Sequence, residues 1–530
     1  MPDDFAKTIA AAYATDGEAL DLGRAVHDGE VHRDAAVRVP LATLNRHGLI
    51  AGATGTGKTK TLQVMAEQLS AAGVPVFVAD VKGDVSGLAA PAAPGGPAEK
   101  RMADPGLPFR PASFPVEFLS LGGIGPGVPV RANVSDFGPQ LLAKVLGANE
   151  TQESSLALVF HYADTKGLPL VDLSDLRALL TFLDSDAGKA ELEGIGGLSS
   201  QTVGVLLRSL VGLETGGGTE FFGEPQLDVA DLMRVAPDGR GIVSCLELAA
   251  VQEKPVLWST ALMWLVAELF EALPEAGDLP KPKLVFFLDE AHLLFADATD
   301  AFLESVARTV RLIRSKGVGV FFVTQQPTDI PDDVLGQLGA RVQHALRAFT
   351  PADAKDLRAT VSTYPRSEFY DLETLLTSMG IGEAAVTLLS ESGVPTPVAH
   401  TRLVAPASRM APADDIEGAA RSSPLWSHYG ERTDPQSARE MLAGRLATAG
   451  GEPEGDGAPA PAQDAPPPLD HIPIPESMRG PQRGSRRRRR APAPTTSTPG
   501  GIGDFLGSRQ GKALQREIVR GVFGLLRKRL

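Results

Sequence analysis

Two hydrophobic rhythms alternate along the chain. Short, continuous apolar runs opened by turn residues recur at Gly48-Leu49-Ile50-Ala51, at Val76-Phe77-Val78-Ala79, at residues 116–121, at residues 241–248, at Leu284-Val285-Phe286-Phe287-Leu288 and at Val318-Gly319-Val320-Phe321-Phe322-Val323. Such runs predict strands buried on both faces, as in a parallel sheet. Between them, apolar residues recur at helical spacing: Leu62, Met65, Ala66 and Leu69; Trp258, Leu262, Leu265, Val266 and Leu269; Phe302, Leu303, Val306, Val310 and Ile313. Strand and helix in alternation predict an α/β fold with a mainly parallel sheet. From about 135 to 240 the pattern is helical only (Leu176, Leu179, Leu180 and Leu183 among others), which predicts a helical insertion. Residues 1–40 form an N-terminal segment expected to hold a helix and short strands.

Composition sharpens both ends of this picture. The chain has 530 residues, 43% hydrophobic and 22% charged, enough for a substantial core. From about 406 to 502 it shifts to Pro, Ala, Gly and Ser, which predicts a flexible linker. Within it, Arg486-Arg487-Arg488-Arg489-Arg490 is open between binding nucleic-acid phosphates and acting as a solubilising run. Residues 503–530 read as a basic amphipathic helix, with Leu514, Ile518, Val522 and Leu525 opposite Arg516, Arg520, Arg527 and Lys528. It is open between a membrane surface and docking on protein. A formal net charge of −14 argues against nonspecific coating of DNA but leaves room for a local basic channel. Aromatics make up 5%, too few for abundant base-stacking platforms. The single cysteine, Cys245, sits in an apolar run and reads as a buried structural thiol, so no intrachain disulfide forms. The first residues lack the regions of a signal peptide and no run approaches 18 apolar residues, so a cytoplasmic location without a transmembrane segment is expected.

The chemistry concentrates at the ends of the predicted strands. Gly52-Ala53-Thr54-Gly55-Thr56-Gly57-Lys58-Thr59 follows one strand and opens a helix. The glycines let backbone N–H groups turn around a polyphosphate, and the helix N-terminus favours the same anion. Lys58 is placed for the β- and γ-phosphates and the Thr59 hydroxyl for Mg²⁺. The run at 284–288 ends in Asp289-Glu290. Asp289 is expected at the metal and Glu290 at a water for in-line attack, which makes ATP hydrolysis the expected reaction. Gln325, ending the next strand, is a candidate γ-phosphate sensor. Arg311 and Arg314, on the preceding helix, are candidates for an arginine finger acting in a neighbouring subunit; each is otherwise a solvated helix position. Asp80, ending its own strand, is open between the metal or attacking water and a turn cap. His47 is open between a nucleotide base and a polar strand edge.

Together, the loop at 52–59, Asp80-Val81-Lys82-Gly83-Asp84, Leu288-Asp289-Glu290-Ala291-His292, Thr324-Gln325-Gln326-Pro327 and residues 334–351 resemble the HerA/FtsK superfamily of ring ATPases. The nearest resemblance is to the bacterial HerA-like group known as DUF853, the YjgR type, over about residues 20–405 and the last 30 residues. It implies a RecA-like ATPase core at 41–405 carrying the insertion at 135–240, with ATP and Mg²⁺ as cofactors. It also implies a hexameric ring and a DNA substrate, as in a translocase or helicase-type motor. An ATPase acting on protein, as in secretion-type members, and a nucleotide-gated scaffold are the alternatives. The roughly 40 residues before the loop are too few for the β-barrel of HerA itself. The Asp-Glu-Ala-His tetrad also resembles DEAH-box helicases, but no Ser-Ala-Thr motif or second helicase lobe follows.

Overall fold

Strands apolar on every side need cover on both faces, and the fold supplies it. The computed structural model describes residues 2–277, 279–295, 300–390 and 393–449. The arginine run at 486–490 and the helix expected at 503–530 lie outside the described residues. The strands are β1 (Ala19–His27), β2 (Glu30–Pro40), β3 (Gly48–Ala51), β4 (Val76–Asp80), β5 (Val116–Leu121), β6 (Val128–Val130), β7 (Val243–Glu247), β8 (Leu284–Leu288), β9 (Val318–Thr324), β10 (Ala340–His344), β11 (Glu383–Leu388) and β12 (Ala399–Leu403). They form one sheet in the order β2-β1-β12-β11-β10-β3-β9-β8-β4-β7-β5-β6. From β10 to β6 every pairing is parallel. From β10 outward through β11, β12, β1 and β2 every pairing is antiparallel.

The period of two along each strand sorts side chains between two cores. Phe77, Phe286, Val320 and Phe322 join the core on one face, with the helices between β6 and β7. Val76, Val78, Val285, Phe287, Phe321 and Val323 join the core on the other, with the helix after β3 and the N-terminal strands. Ring pairs tie neighbouring strands on each face: Phe77 with Phe286 at 4.9 Å, Phe287 with Phe321 at 5.3 Å between centroids. The longest helices between β6 and β7 are Glu150–Lys166, Leu173–Asp184 and Ser200–Leu213. The first 40 residues add β1 and β2 to the antiparallel edge, and Phe5 and Ile9 of the N-terminal helix are buried against them.

Two expectations change. Residues 406–449 are not a linker: they carry helices Ile416–Arg421, Trp426–Tyr429 and Ala438–Ala449. Leu425, Tyr429, Ala438 and Leu442 are buried, and the Tyr429 hydroxyl donates to Asp231 Oδ2 at 2.7 Å. A few well-spaced anchors suffice to hold a segment whose average composition is polar. The helix Pro255–Ala272 is long and apolar enough to cross a membrane by length and composition. Its Trp258, Trp264 and Leu269 are nevertheless buried in the protein core, as in a central helix of a large sheet fold.

Phe287 occupies a fully buried position in the middle of the parallel sheet. Phe287→Ala is expected to cost about 3–5 kcal/mol, through lost burial and the cavity left behind. Urea unfolding followed by circular dichroism measures it, and a loss under about 1 kcal/mol contradicts this packing.

Candidate nucleotide site

The strand β3 ends inside the sheet, between β9 and β10, so its loop emerges with a strand on each side. Both neighbours hold it: Gly52 N donates to Thr324 O at 3.3 Å and to Gln325 O at 3.2 Å, and Ala53 N donates to Ala345 O at 2.9 Å. Gly52 has φ 151°, and a Cβ there would stand 2.4 Å from His344 Cβ, so the position requires glycine. Gly57, with φ 115°, turns the chain into the helix Lys58–Ala71. Lys58 is buried and its Nζ donates to Gly52 O at 2.6 Å. Burial holds its pKa below the usual lysine value, while the nearby carboxylates Glu290 and Asp289 oppose that shift. Thr59 follows it at the head of the helix; Thr54 and Gly55 are exposed at the loop's tip, while Thr56 is buried.

The carboxylates come from β8, one strand beyond β9. Asp289 is 2% exposed, and its Oδ2 has no hydrogen-bond partner among the described residues. Burial, followed by the charges of Glu290 and Asp80, raises its pKa to about 7. Carboxylate oxygens of Asp80, Asp84 and Asp289 lie within 4.8 Å of one another. A buried, unpaired carboxylate oxygen in a set of hard oxygen donors fits Mg²⁺. Glu290 adopts φ 46°, a left-handed conformation unusual for a residue with a side chain. Its Oε1 pairs with Lys82 Nζ, and its Oε2 lies 3.2 Å from His292 Nδ1. Burial alone would raise the pKa of Glu290. The contacts to His292 and Lys82 prevail and hold it down at about 2.

Not every expected residue stands at the loop. Gln325 does: it is exposed at the end of β9, and its backbone carries the Gly52 contact. Arg311 and Arg314 are exposed at the close of the helix that leads into the start of β9. The seven residues of β9 put about 20 Å between that end and the phosphate loop, so neither arginine reaches the loop of its own chain. Asp80 is a turn organiser: its Oδ1 accepts from Lys82 N and Gly83 N, its Oδ2 from Val85 N at 2.8 Å. His47 lies at the start of β3, on the edge of the sheet away from the loop, where its Nδ1 accepts from Val320 N at 3.0 Å. Burial lowers its pKa to about 4, so it is a neutral structural residue and not a base contact. Cys245 is fully buried, and burial pushes its thiol well up.

Lys82 and His344 have no role assigned from the sequence; Arg347 reads there, with Arg341, as a candidate for a subunit interface. Lys82 pairs with Glu290. His344 lies beneath the loop, its Nε2 2.9 Å from Thr61 Oγ1, and burial with the nearby Lys58 charge lowers its pKa to about 3. Arg347 reaches the tip of the loop, its Nη2 donating to Thr54 O at 3.4 Å. Each follows or ends a strand, a position where side chains gather in open α/β sheets.

A glycine-rich loop from a buried parallel strand, with an Asp-Glu pair ending a strand one place removed, defines a P-loop ATPase of the RecA-like α/β class. The family described as helicase HerA-like C-terminal matches residues 26–529, and the chain belongs to that family, within the HerA/FtsK superfamily. The fold is similar to that of the bacterial conjugative coupling protein TrwB in complex with sulphate, at 15% identity and a TM-score of 0.50, covering 78% of this chain and 93% of that one. The same coupling protein with a non-hydrolysable ATP analogue aligns at 15% identity and a TM-score of 0.50, over 76% and 98% of the two chains. VirB4 of Thermoanaerobacter pseudethanolicus aligns at 15% identity and a TM-score of 0.46, over 73% and 97%. Comparison with curated proteins finds no match.

The ionised Glu290 gives the site a pH signature. Its pKa falls from 4.5 to about 2 on folding, so its contribution to stability is complete above 4.5 and is lost as pH falls towards 2. Asp289 acts with the opposite sign, its cost growing as pH rises from 3.8 to about 7. Lys82→Met removes one of the two cations beside Glu290, which then titrates at higher pH. The acid-unfolding midpoint, followed by tryptophan fluorescence, is expected to move upward; an unchanged midpoint rules out Lys82 as the group that holds Glu290 ionised.

Proposed function

We propose that this chain hydrolyses ATP as one subunit of a hexameric ring, and that the ring is a motor that moves along or remodels DNA. The observation that carries the hydrolytic reading is Glu290: a carboxylate kept ionised beside a phosphate loop, in a strained conformation that aims it from the end of β8. In this reading the loop amides at 52–59 and Lys58 hold the polyphosphate. Thr59 and Asp289 would hold Mg²⁺, which supplies charge neutralisation on the phosphates. Glu290 orients a water in line with the γ-phosphate and takes its proton, with ADP as leaving group. Gln325, at the tip of β9, senses the γ-phosphate by hydrogen bonding. Lys82 and His292 hold the Glu290 carboxylate until the water is in place.

The ring reading is supported by where Arg311 and Arg314 stand. Both are at the far edge of the sheet from their own loop, so in this reading an arginine from this helix acts at the site of a neighbouring subunit. The DNA substrate is supported by membership of the helicase HerA-like family. A protein substrate, as for secretion-type ATPases of the superfamily, fits the same site equally well.

A steady-state ATPase assay with and without duplex DNA tests the proposal. Wild-type turnover is expected to rise with DNA. Lys58→Ala is expected to lose nucleotide binding, and Glu290→Gln to bind ATP but turn over about 10²–10⁴-fold more slowly. Wild-type turnover in Glu290→Gln removes Glu290 from its role. Turnover that ignores DNA but responds to a protein partner selects the protein-substrate reading, and a folded, ATP-binding protein with no turnover leaves a nucleotide-gated scaffold.

A further inference from the structure

The site is lopsided about β3. The hydrolytic groups, Glu290 and Gln325, end β8 and β9 on one side. The γ-phosphate end of a nucleotide seated on the loop therefore points that way, and the nucleoside end leaves on the other, over β10 and β11. Two chain segments touch the loop there. The segment after β10 does so through Ala345 O, which accepts from Ala53 N at 2.9 Å, and through Arg347. The segment before β11 does so through Gly382 N, which donates to Thr56 O at 2.9 Å.

These two segments carry the two most exposed large hydrophobic side chains among the described residues: Phe349 at 84% and Ile381 at 75%. Phe349 is two residues beyond Arg347, at most about 7 Å of chain. Its backbone is fixed: Phe349 N and Thr350 N both donate to Asp353 Oδ2 at 2.9 Å, in a capping box that opens the helix Pro351–Ser362. An apolar residue just before an N-cap ordinarily packs on the fourth helical residue, but that residue here is Ala354 and the ring stays uncovered. Ile381 is the residue next to Gly382, whose Cα lies 3.4 Å from where a Cβ on Gly57 would stand. An aromatic ring on a fixed backbone and an aliphatic side chain, both open to solvent on the nucleoside side of a phosphate loop, have the chemistry of a base clamp.

We propose that Phe349 and Ile381 form the platform that grips the purine base of the bound nucleotide, with Arg347 at the phosphates nearest it. This rests on the nucleotide reading of the loop and adds where the base lies and which residues hold it.

Calorimetric titration with ATP and, separately, with inorganic tripolyphosphate tests it, because the second ligand has phosphates but no base. Wild type is expected to bind both. Phe349→Ala is expected to weaken ATP about five- to hundredfold, the range of one lost aromatic stack, and to leave tripolyphosphate unchanged. Phe349→Tyr is expected to restore ATP binding, and Ile381→Ala to weaken ATP alone by a smaller factor. ATP affinity within about twofold of wild type in both alanine variants overturns the clamp, as does equal weakening of both ligands. A change in oligomeric state of Phe349→Ala by size-exclusion chromatography, with ATP binding intact, makes the ring a subunit contact and also overturns it. Wild type that binds neither ligand removes the nucleotide reading itself.

Discussion

The phosphate loop keeps its shape because a neutral imidazole fills the space beneath it. His344, at the end of β10, packs so closely against Gly52 that no side chain fits there, and it meets Thr61 one turn into the following helix. Burial and the charge of Lys58 both disfavour a protonated ring, so the loop rests on a packed, uncharged support. With the bonds that Gly52 N and Ala53 N donate to the Thr324, Gln325 and Ala345 carbonyls, this fixes where the helix Lys58–Ala71 begins and where Lys58 emerges. A loop on the last strand of a sheet has one neighbour; this one has two, and its geometry depends on both.

The arrangement on either side of β3 follows from strand order. Parallel strands put all their C-terminal ends on one edge, so side chains far apart in sequence converge there. Asp80 and its turn, Asp289 and Glu290, Gln325, and His344 each close a different strand. Burial makes this edge electrostatically tense: Asp289 is pushed towards neutrality while Glu290 beside it is kept ionised by Lys82 and His292. Two adjacent carboxylates with pKa values driven apart are suited to different tasks. The positive φ of Glu290 marks backbone strain at the same point of the chain.

Much of this was legible in the chain. The buried runs at 48–51, 76–79, 284–288 and 318–323 are strands because continuous apolar sequence between turn residues has few other stable uses, and the glycine-rich loop announces itself by spacing. What local sequence did not settle has a common cause. Residues 406–449 were expected to be a linker because average composition hides sparse anchors such as Tyr429 and Leu442, which are buried against distant helices. For His47, open in the sequence between a base contact and a polar strand edge, the structure selects the strand edge. Its partner is Val320, and the strand carries it to the wrong edge. Lys82 and His344 have no role in the sequence reading, and Arg347 reads only as a candidate for a subunit interface, because each acts through a residue more than fifty positions away.

The sequence by itself determined the α/β class, the phosphate loop and the acidic end of β8, since all three are local: hydrophobic period, glycine spacing and a strand's last residues. The order of the strands it could not determine, because pairing joins segments hundreds of residues apart. Only the folded sheet places β3 between β9 and β10, and so decides which carboxylate burial pushes up, which one its neighbours hold ionised and which imidazole supports the loop.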